Sequence, residues 1–216
     1  MQNKKVAKTL NRQHNNYTKS VSNKARFDMS QAATLTQQQL QQVLQSARAT
    51  RHSVRNRAIL LTTHWSGMRV GEVAALTYAD VVAGDGTIKT EIRLSAAQTK
   101  GNRARIVLLP ERLRAELATY IARFPNKSPK RPLFYTQRSA GFTANTLTHI
   151  VNSLYQKAGL YGCSSHSGRR TFITNLADNG VSAHILMKLA GHQNLATTQR
   201  YIDVKPSMLR AAVELV

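Results

Sequence analysis

From Leu35 onward, apolar residues recur at helical spacing almost to the end of the chain, and the period changes once, over two short runs rich in Ile, Val and Leu. That pattern restricts the fold to a mostly α domain with a small antiparallel β-sheet. Thr36 is placed to cap the first helix, Gln39 to complete a capping box and Leu35 to staple onto Leu40. Leu40, Val43, Leu44 and Ala47 mark the buried face of that helix. A second helix runs through Ile59, Leu60, Leu61 and Trp65 and should stop near Gly67; a shorter one carries Val70, Val73 and Leu76. Thr87 to Leu94 and Arg103 to Leu108 are expected to pair as a hairpin about a Lys100-Gly101-Asn102 turn. Pro110 suits the first turn of a helix continued by Leu113, Leu117, Tyr120 and Ile121. Pro125 to Pro132 reads as a basic, proline-rich loop, and the last third as helices ending at Gly159, Gly180 and Gly191.

Residues 1–34 do not share this periodicity. Lys4, Lys5, Lys8, Arg12, Lys19, Lys24 and Arg26 all precede the first acid, Asp28. The segment reads as a basic arm, disordered without DNA, serving either to track a nucleic-acid backbone or as a linker. Over all 216 residues, 31 Lys and Arg face 10 Asp and Glu, a formal net charge of +21. Such a surface gains free energy by displacing counterions from a polyanion, which favours nucleic acid. A ribosomal-type basic protein would fit as well; a membrane-surface binder fits less, because no basic amphipathic helix stands out. Cys163 is the one cysteine, so an intramolecular disulfide and a thiolate zinc cluster are excluded. With no apolar stretch long enough for a signal sequence or membrane span, a cytoplasmic, nucleoid-associated location is expected.

Three segments place cationic or proton-transferring side chains at breaks between elements. In Ser66-Gly67-Met68-Arg69-Val70-Gly71-Glu72, an arginine stands between two helices with a glutamate one turn on. In Ser165-His166-Ser167-Gly168-Arg169-Arg170-Thr171-Phe172, His166 and Arg169 share a helix face near its start, where backbone N–H groups help to hold a phosphate. In the run from Leu189 to Tyr201, His192 follows a glycine stop and a short helix ends in Tyr201, nine positions later. A zinc site from His149, His166, His184 and His192 has no common ligand spacing, and no acidic cluster suited to Mg²⁺ is evident.

These segments, in this order, resemble the signature of the tyrosine recombinases, the phage-integrase and Xer family, over about residues 35 to 205. The family pattern is Gly-x-Arg-x-x-Glu, then His-x-x-Arg, then Leu-x-Gly-His with a tyrosine nine positions later. The resemblance implies the recombinase catalytic-domain fold (α+β) and site-specific cleavage and rejoining of double-stranded DNA through a 3′-phosphotyrosyl intermediate, with no metal, ATP or other cofactor. It assigns Tyr201 as nucleophile, Arg69 and Arg169 as the phosphate clamp, His192 as a further donor and His166 as an aid to proton transfer. Lys100 matches the hairpin lysine that protonates the leaving 5′-oxygen, although Lys89 lies on the same hairpin, and Glu72 would position the arginines. The assembly implied is a homotetramer on synapsed sites and a monomer without DNA. The chemistry is sound independently of the likeness. Planar guanidiniums stabilise charge building in a pentacoordinate phosphorane, and a phenol of pKa about 10 needs a base and a cationic field to attack near neutrality.

Two alternatives share the fold: a type IB topoisomerase, and a DNA-binding regulator that does not cut. Leu-x-Gly-His favours the recombinase over the first, and the intact set with Tyr201 argues against the second. Most family members resemble a two-domain clamp, with a helical domain of roughly 100 residues before the catalytic one. Here only the arm precedes Leu35, as in short fimbrial-inversion-type recombinases or a truncated integrase. Arg170 stands where the family often has histidine and Gly168 where it often has leucine; neither is expected to touch the nucleophile or clamp. Residues 206–216 carry Met208, Leu209, Ala212 and Val213 at helical spacing, a tail helix that packs in cis or docks in trans on a neighbouring protomer.

Overall fold

The computed structural model describes residues 32–125, 128–136, 141–204 and 206–215. The chain divides into two units, Met1–Ala32 and Ala33–Val216; residues 1–31 of the basic arm lie outside the described residues, as does part of the Pro125 to Pro132 loop. The second unit is mostly helical with one two-stranded antiparallel sheet, as the periodicity requires.

Helix α1 (Gln37–Arg48) begins at the expected capping box: the Thr36 hydroxyl accepts from the Gln39 amide and the Gln39 side chain accepts from the Thr36 amide. Its apolar stripe, Leu40, Val43, Leu44 and Ala47, is buried together with Leu35. The Leu35 amide donates to the Thr171 hydroxyl at 2.8 Å, which fixes the entry to α1 against a distant helix. Helix α2 (Ser53–Ser66) is apolar on several sides, burying Ile59, Leu60 and Leu61, and so it occupies the centre of the domain. Around it pack α1, α5 (Glu111–Arg123) and α7 (Ser167–Asp178). Short helices α3 (Val70–Ala74) and α4 (Tyr78–Val81) follow Gly67. Helix α6 (Ala144–Lys157) covers α1 and α3; α8 (Ala183–Ala190), α9 (Leu195–Gln199) and α10 (Pro206–Val213) complete the chain.

The hairpin is shorter than its apolar runs suggest. Strands β1 (Glu91–Leu94) and β2 (Arg105–Leu108) pair with Leu94 opposite Arg105. Ile88 leaves the sheet to bridge Val82, and Lys89 donates to the Ala79 carbonyl. Between the strands lies a 3₁₀ turn (Ala96–Gln98) and then the Lys100-Gly101-Asn102 turn, where Asn102 adopts φ 49°. Lys100 therefore stands on a projecting loop instead of a tight two-residue turn. Leu76 is buried just past the end of α3, and Pro110 is the N-cap of α5 rather than a residue of its first turn.

Candidate active site

The three sequence segments converge on the C-terminal ends of α2 and α8 and the N-terminus of α7. Helix α2 stops at Gly67 with φ 63°, and a Cβ there would fall 2.4 Å from Cδ1 of Phe172. Only glycine permits both the turn and the ring. The Gly67 carbonyl accepts from Arg169 Nη1 at 2.6 Å, and the Ala190 carbonyl at the end of α8 accepts from Nη2 at 2.7 Å. Two helix C-termini thus hold one guanidinium, which is 5% exposed. Burial, followed by the repulsion of Arg69, lowers the Arg169 pKa to about 10, which leaves it charged near neutrality.

Arg69 caps α3. Its amide donates to Glu72 Oε2 at 2.8 Å, its Nη1 to Oε1 at 3.0 Å, and its Nη2 approaches the Gly191 carbonyl at 3.4 Å. Glu72 is 1% exposed. Burial favours its neutral form, but the hydrogen bond and charge of Arg105, with those of Arg69, prevail and hold the carboxyl below its usual range. Arg105 was not singled out by its motif context. From β2 it donates through Nη2 to Glu72 Oε2 at 2.7 Å, through Nε to Oε1 at 3.3 Å and through Nη1 to the Leu189 carbonyl at 3.1 Å. Strand alternation holds the missed signal: Arg105 shares a face with buried Val107, and an inward arginine demands a partner.

His192 follows Gly191, which ends α8 with φ 63°. Its Nδ1 lies 2.9 Å from the hydroxyl of buried Thr198, and its ring stacks on Tyr201 with centroids 5.7 Å apart and planes 25° apart. Burial and then the charges of Arg169, Arg69 and Arg105 pull the His192 pKa down to about 4. Tyr201 lies one residue past the C-cap of α9, its amide donating to the Thr198 carbonyl at 2.9 Å. His166 is the N-cap of α7 and is solvent-exposed at the rim. Partial desolvation, then the charges of Arg169, Lys100 and Arg69, lower its pKa. Lys100 is exposed. Beside it Gly101 abuts Gln193, where a Cβ would sit 2.8 Å from Nε2.

Arg69, Glu72, Arg169, His192 and Tyr201 thus come together in one cationic cluster with His166 at its edge, and Lys100 stands on the exposed loop whose Gly101 abuts Gln193. The expectation for Arg170 is corrected: its guanidinium lies 5.7 Å from the Tyr201 ring centroid, a cation over the phenol. His166 is the N-cap of α7 and Arg169 stands in its first turn, the former exposed and the latter buried. Among the described residues no group of three or more His, Cys, Asp or Glu is arranged to hold a metal ion, and no helix is long and apolar enough to cross a membrane.

This helical fold with one hairpin is that of the tyrosine recombinase catalytic domains. In the crystal structure of XerA recombinase it recurs with a TM-score of 0.66 and 26% identity, over 85% of this chain and 64% of that one. The catalytic domain of bacteriophage HP1 integrase has the same fold at 21% identity, with a TM-score of 0.60 over 85% of this chain and 95% of that one. The model of the phage integrase family matches residues 33–208, and the chain belongs to that family. Among curated relatives, tyrosine recombinase XerC of Pelobacter propionicus is 29% identical over 154 residues, which are 71% of this chain and 49% of that protein. The chain spans about half the length of the curated relatives it matches.

Proposed function

We propose that the chain is a site-specific DNA recombinase that cuts and rejoins double-stranded DNA through Tyr201. The observation that carries this reading is the placement of the Tyr201 ring against His192, beside two guanidiniums anchored on backbone carbonyls and on Glu72. Each guanidinium has more N–H groups than these partners use, so donors remain for the oxygens of a phosphodiester. Fixed in advance, they stabilise the charge of the pentacoordinate transition state without reorganising.

The Tyr201 oxygen attacks phosphorus, the bond from phosphorus to the 5′-oxygen breaks, and a 3′-phosphotyrosyl ester forms. His166, whose pKa is lowered by partial desolvation and then by its cationic neighbours, takes the phenolic proton; Lys100 gives a proton to the leaving oxygen. His192 is neutral at pH 7, and the tautomer that accepts the Thr198 hydroxyl at Nδ1 carries its proton on Nε2 and offers it to the phosphate. Religation is the same path reversed with another 5′-hydroxyl, so the ester retains the energy of the original bond.

A nicked duplex bearing a site selected from a random library by this protein tests the reading. Loss of the short strand beyond the nick traps the covalent adduct; it should form with the wild type and vanish in Tyr201→Phe. A wild type that binds the site without forming adduct supports the non-cutting regulator instead.

The substrate makes the nucleoid the place of action, and synapsis of two sites calls for a tetramer built from monomers on DNA. Helix α10 and the turn after it support that assembly: Leu209, Val213 and Leu215 are 58%, 71% and 88% exposed, apolar groups that a neighbouring protomer would cover. Removing residues 206–216 should abolish the synaptic complex in native gels while leaving the melting temperature unchanged; normal synapsis would show that the tail has no role in trans.

A further inference from the structure

Lys100 must present its ammonium to the leaving oxygen of a phosphate gripped by residues on helices, yet it stands on an exposed loop. The two ends of that loop are pinned by different side chains. On the entry side, Gln98 Nε2 donates to the Ala75 carbonyl at 3.1 Å and to Asp80 Oδ2 at 2.8 Å. The Thr99 hydroxyl closes the loop by donating to the Arg103 carbonyl at 2.8 Å and accepting from its amide at 3.0 Å. On the exit side stands Arg105, which grips both oxygens of Glu72 and the Leu189 carbonyl. It also lies against the Gly191 turn, where a Cβ would fall 2.6 Å from its Cδ. At 11% exposure its side chain is turned inward, onto these partners.

We propose that Arg105 is a positioning residue that locks the lysine loop to the arginine clamp and to the His192 turn, and so sets Lys100 for proton donation to the leaving oxygen. Its two hydrogen-bond partners and its own strand belong to the three parts that must act together: Glu72 holds Arg69, Leu189 precedes Gly191 and His192, and β2 carries the end of the loop. A planar fork meets both carboxylate oxygens and a carbonyl in one fixed orientation, which a lysine ammonium does not. The inference rests on the reading of Tyr201 as nucleophile and Lys100 as acid.

The test is single-turnover adduct formation on the nicked duplex in two versions, one with the natural bridging 5′-oxygen and one with a bridging 5′-sulfur. The sulfur leaves as a thiolate and takes no proton, so it removes the need for Lys100. With the oxygen duplex, Arg105→Met should form adduct about a hundredfold more slowly, the scale of a lost general acid, with unchanged duplex affinity. With the sulfur duplex its rate should return to that of the wild type. Equal rates for variant and wild type on the oxygen duplex, or equal slowing on both duplexes, would overturn the inference. If Arg105→Met does not fold, Arg105→Lys carries the same comparison, with a smaller loss on oxygen and recovery on sulfur. Absence of adduct from the wild type on either duplex overturns the Tyr201 reading, and this inference with it.

Discussion

The ring of His192 is held by a hydroxyl that looks like filler in the sequence. Thr198 stands in a short helix between two polar neighbours, and only its burial and its 2.9 Å contact with Nδ1 reveal it. Replacing it by valine preserves the shape and removes that partner, leaving the imidazole free to adopt either tautomer. Losing about 1.4 kcal/mol of orientation corresponds to roughly tenfold in rate. Thr198→Val should therefore slow adduct formation on the nicked duplex by about that factor; an unchanged rate would remove Thr198 from the mechanism. The contrast with the motif residues is physical. Arg69, His166, Arg169 and His192 are legible because each stands at a helix break, where backbone polarity and access to a phosphate coincide. Arg105 comes just before an ordinary Ile-Val-Leu run, and its task appears only when the strand is docked on Glu72.

Helix α7 reaches the site only because it lies unusually close to α2. A Cβ on Gly168 would fall 2.7 Å from Thr63 Oγ1 and 3.2 Å from the His64 backbone nitrogen. The family's leucine at this position does not fit here without moving α7, and with it Arg169 and His166. Gly168→Leu should cost about 1–3 kcal/mol by overpacking, which for a domain of this size lowers the melting temperature by roughly 2–12 °C. Pairing it with Thr63→Ala should recover part of the loss in calorimetry; a variant as stable as the wild type would show that the two helices are not in close contact. Helices were readable because caps and glycine stops fix their ends locally. The hairpin was less so: Ile88 and Lys89 have strand-like neighbours but are drawn to Val82 and to the Ala79 carbonyl by packing against α4, which no local period records.

Charge acts across the whole molecule. His64, buried on α2, and His192, in the cationic cluster, both have pKa values lowered to about 4, in each case first by burial. In the unfolded chain both return to about 6.5. Between these values the unfolded state binds more protons than the folded one, so stability is full above pH 6.5 and falls as the pH drops toward 4. The lowered pKa of Glu72 extends the trend to more acid pH, since its stabilisation persists until the folded-state carboxylate is protonated. The melting temperature should accordingly be steady from pH 8 to 7 and decline through pH 6 and 5, and the decline should be shallower in His64→Gln. A melting temperature that rises on acidification would contradict the buried, neutral state of these rings. The cationic field around His192 is also what a scissile phosphate would meet beside Tyr201. Digestion of the trapped protein–DNA adduct and sequencing of the nucleotide-bearing peptide by mass spectrometry tests that pairing most directly. The phosphoryl nucleotide is predicted on Tyr201; finding it on Tyr155, Tyr161 or a serine would contradict the site described here.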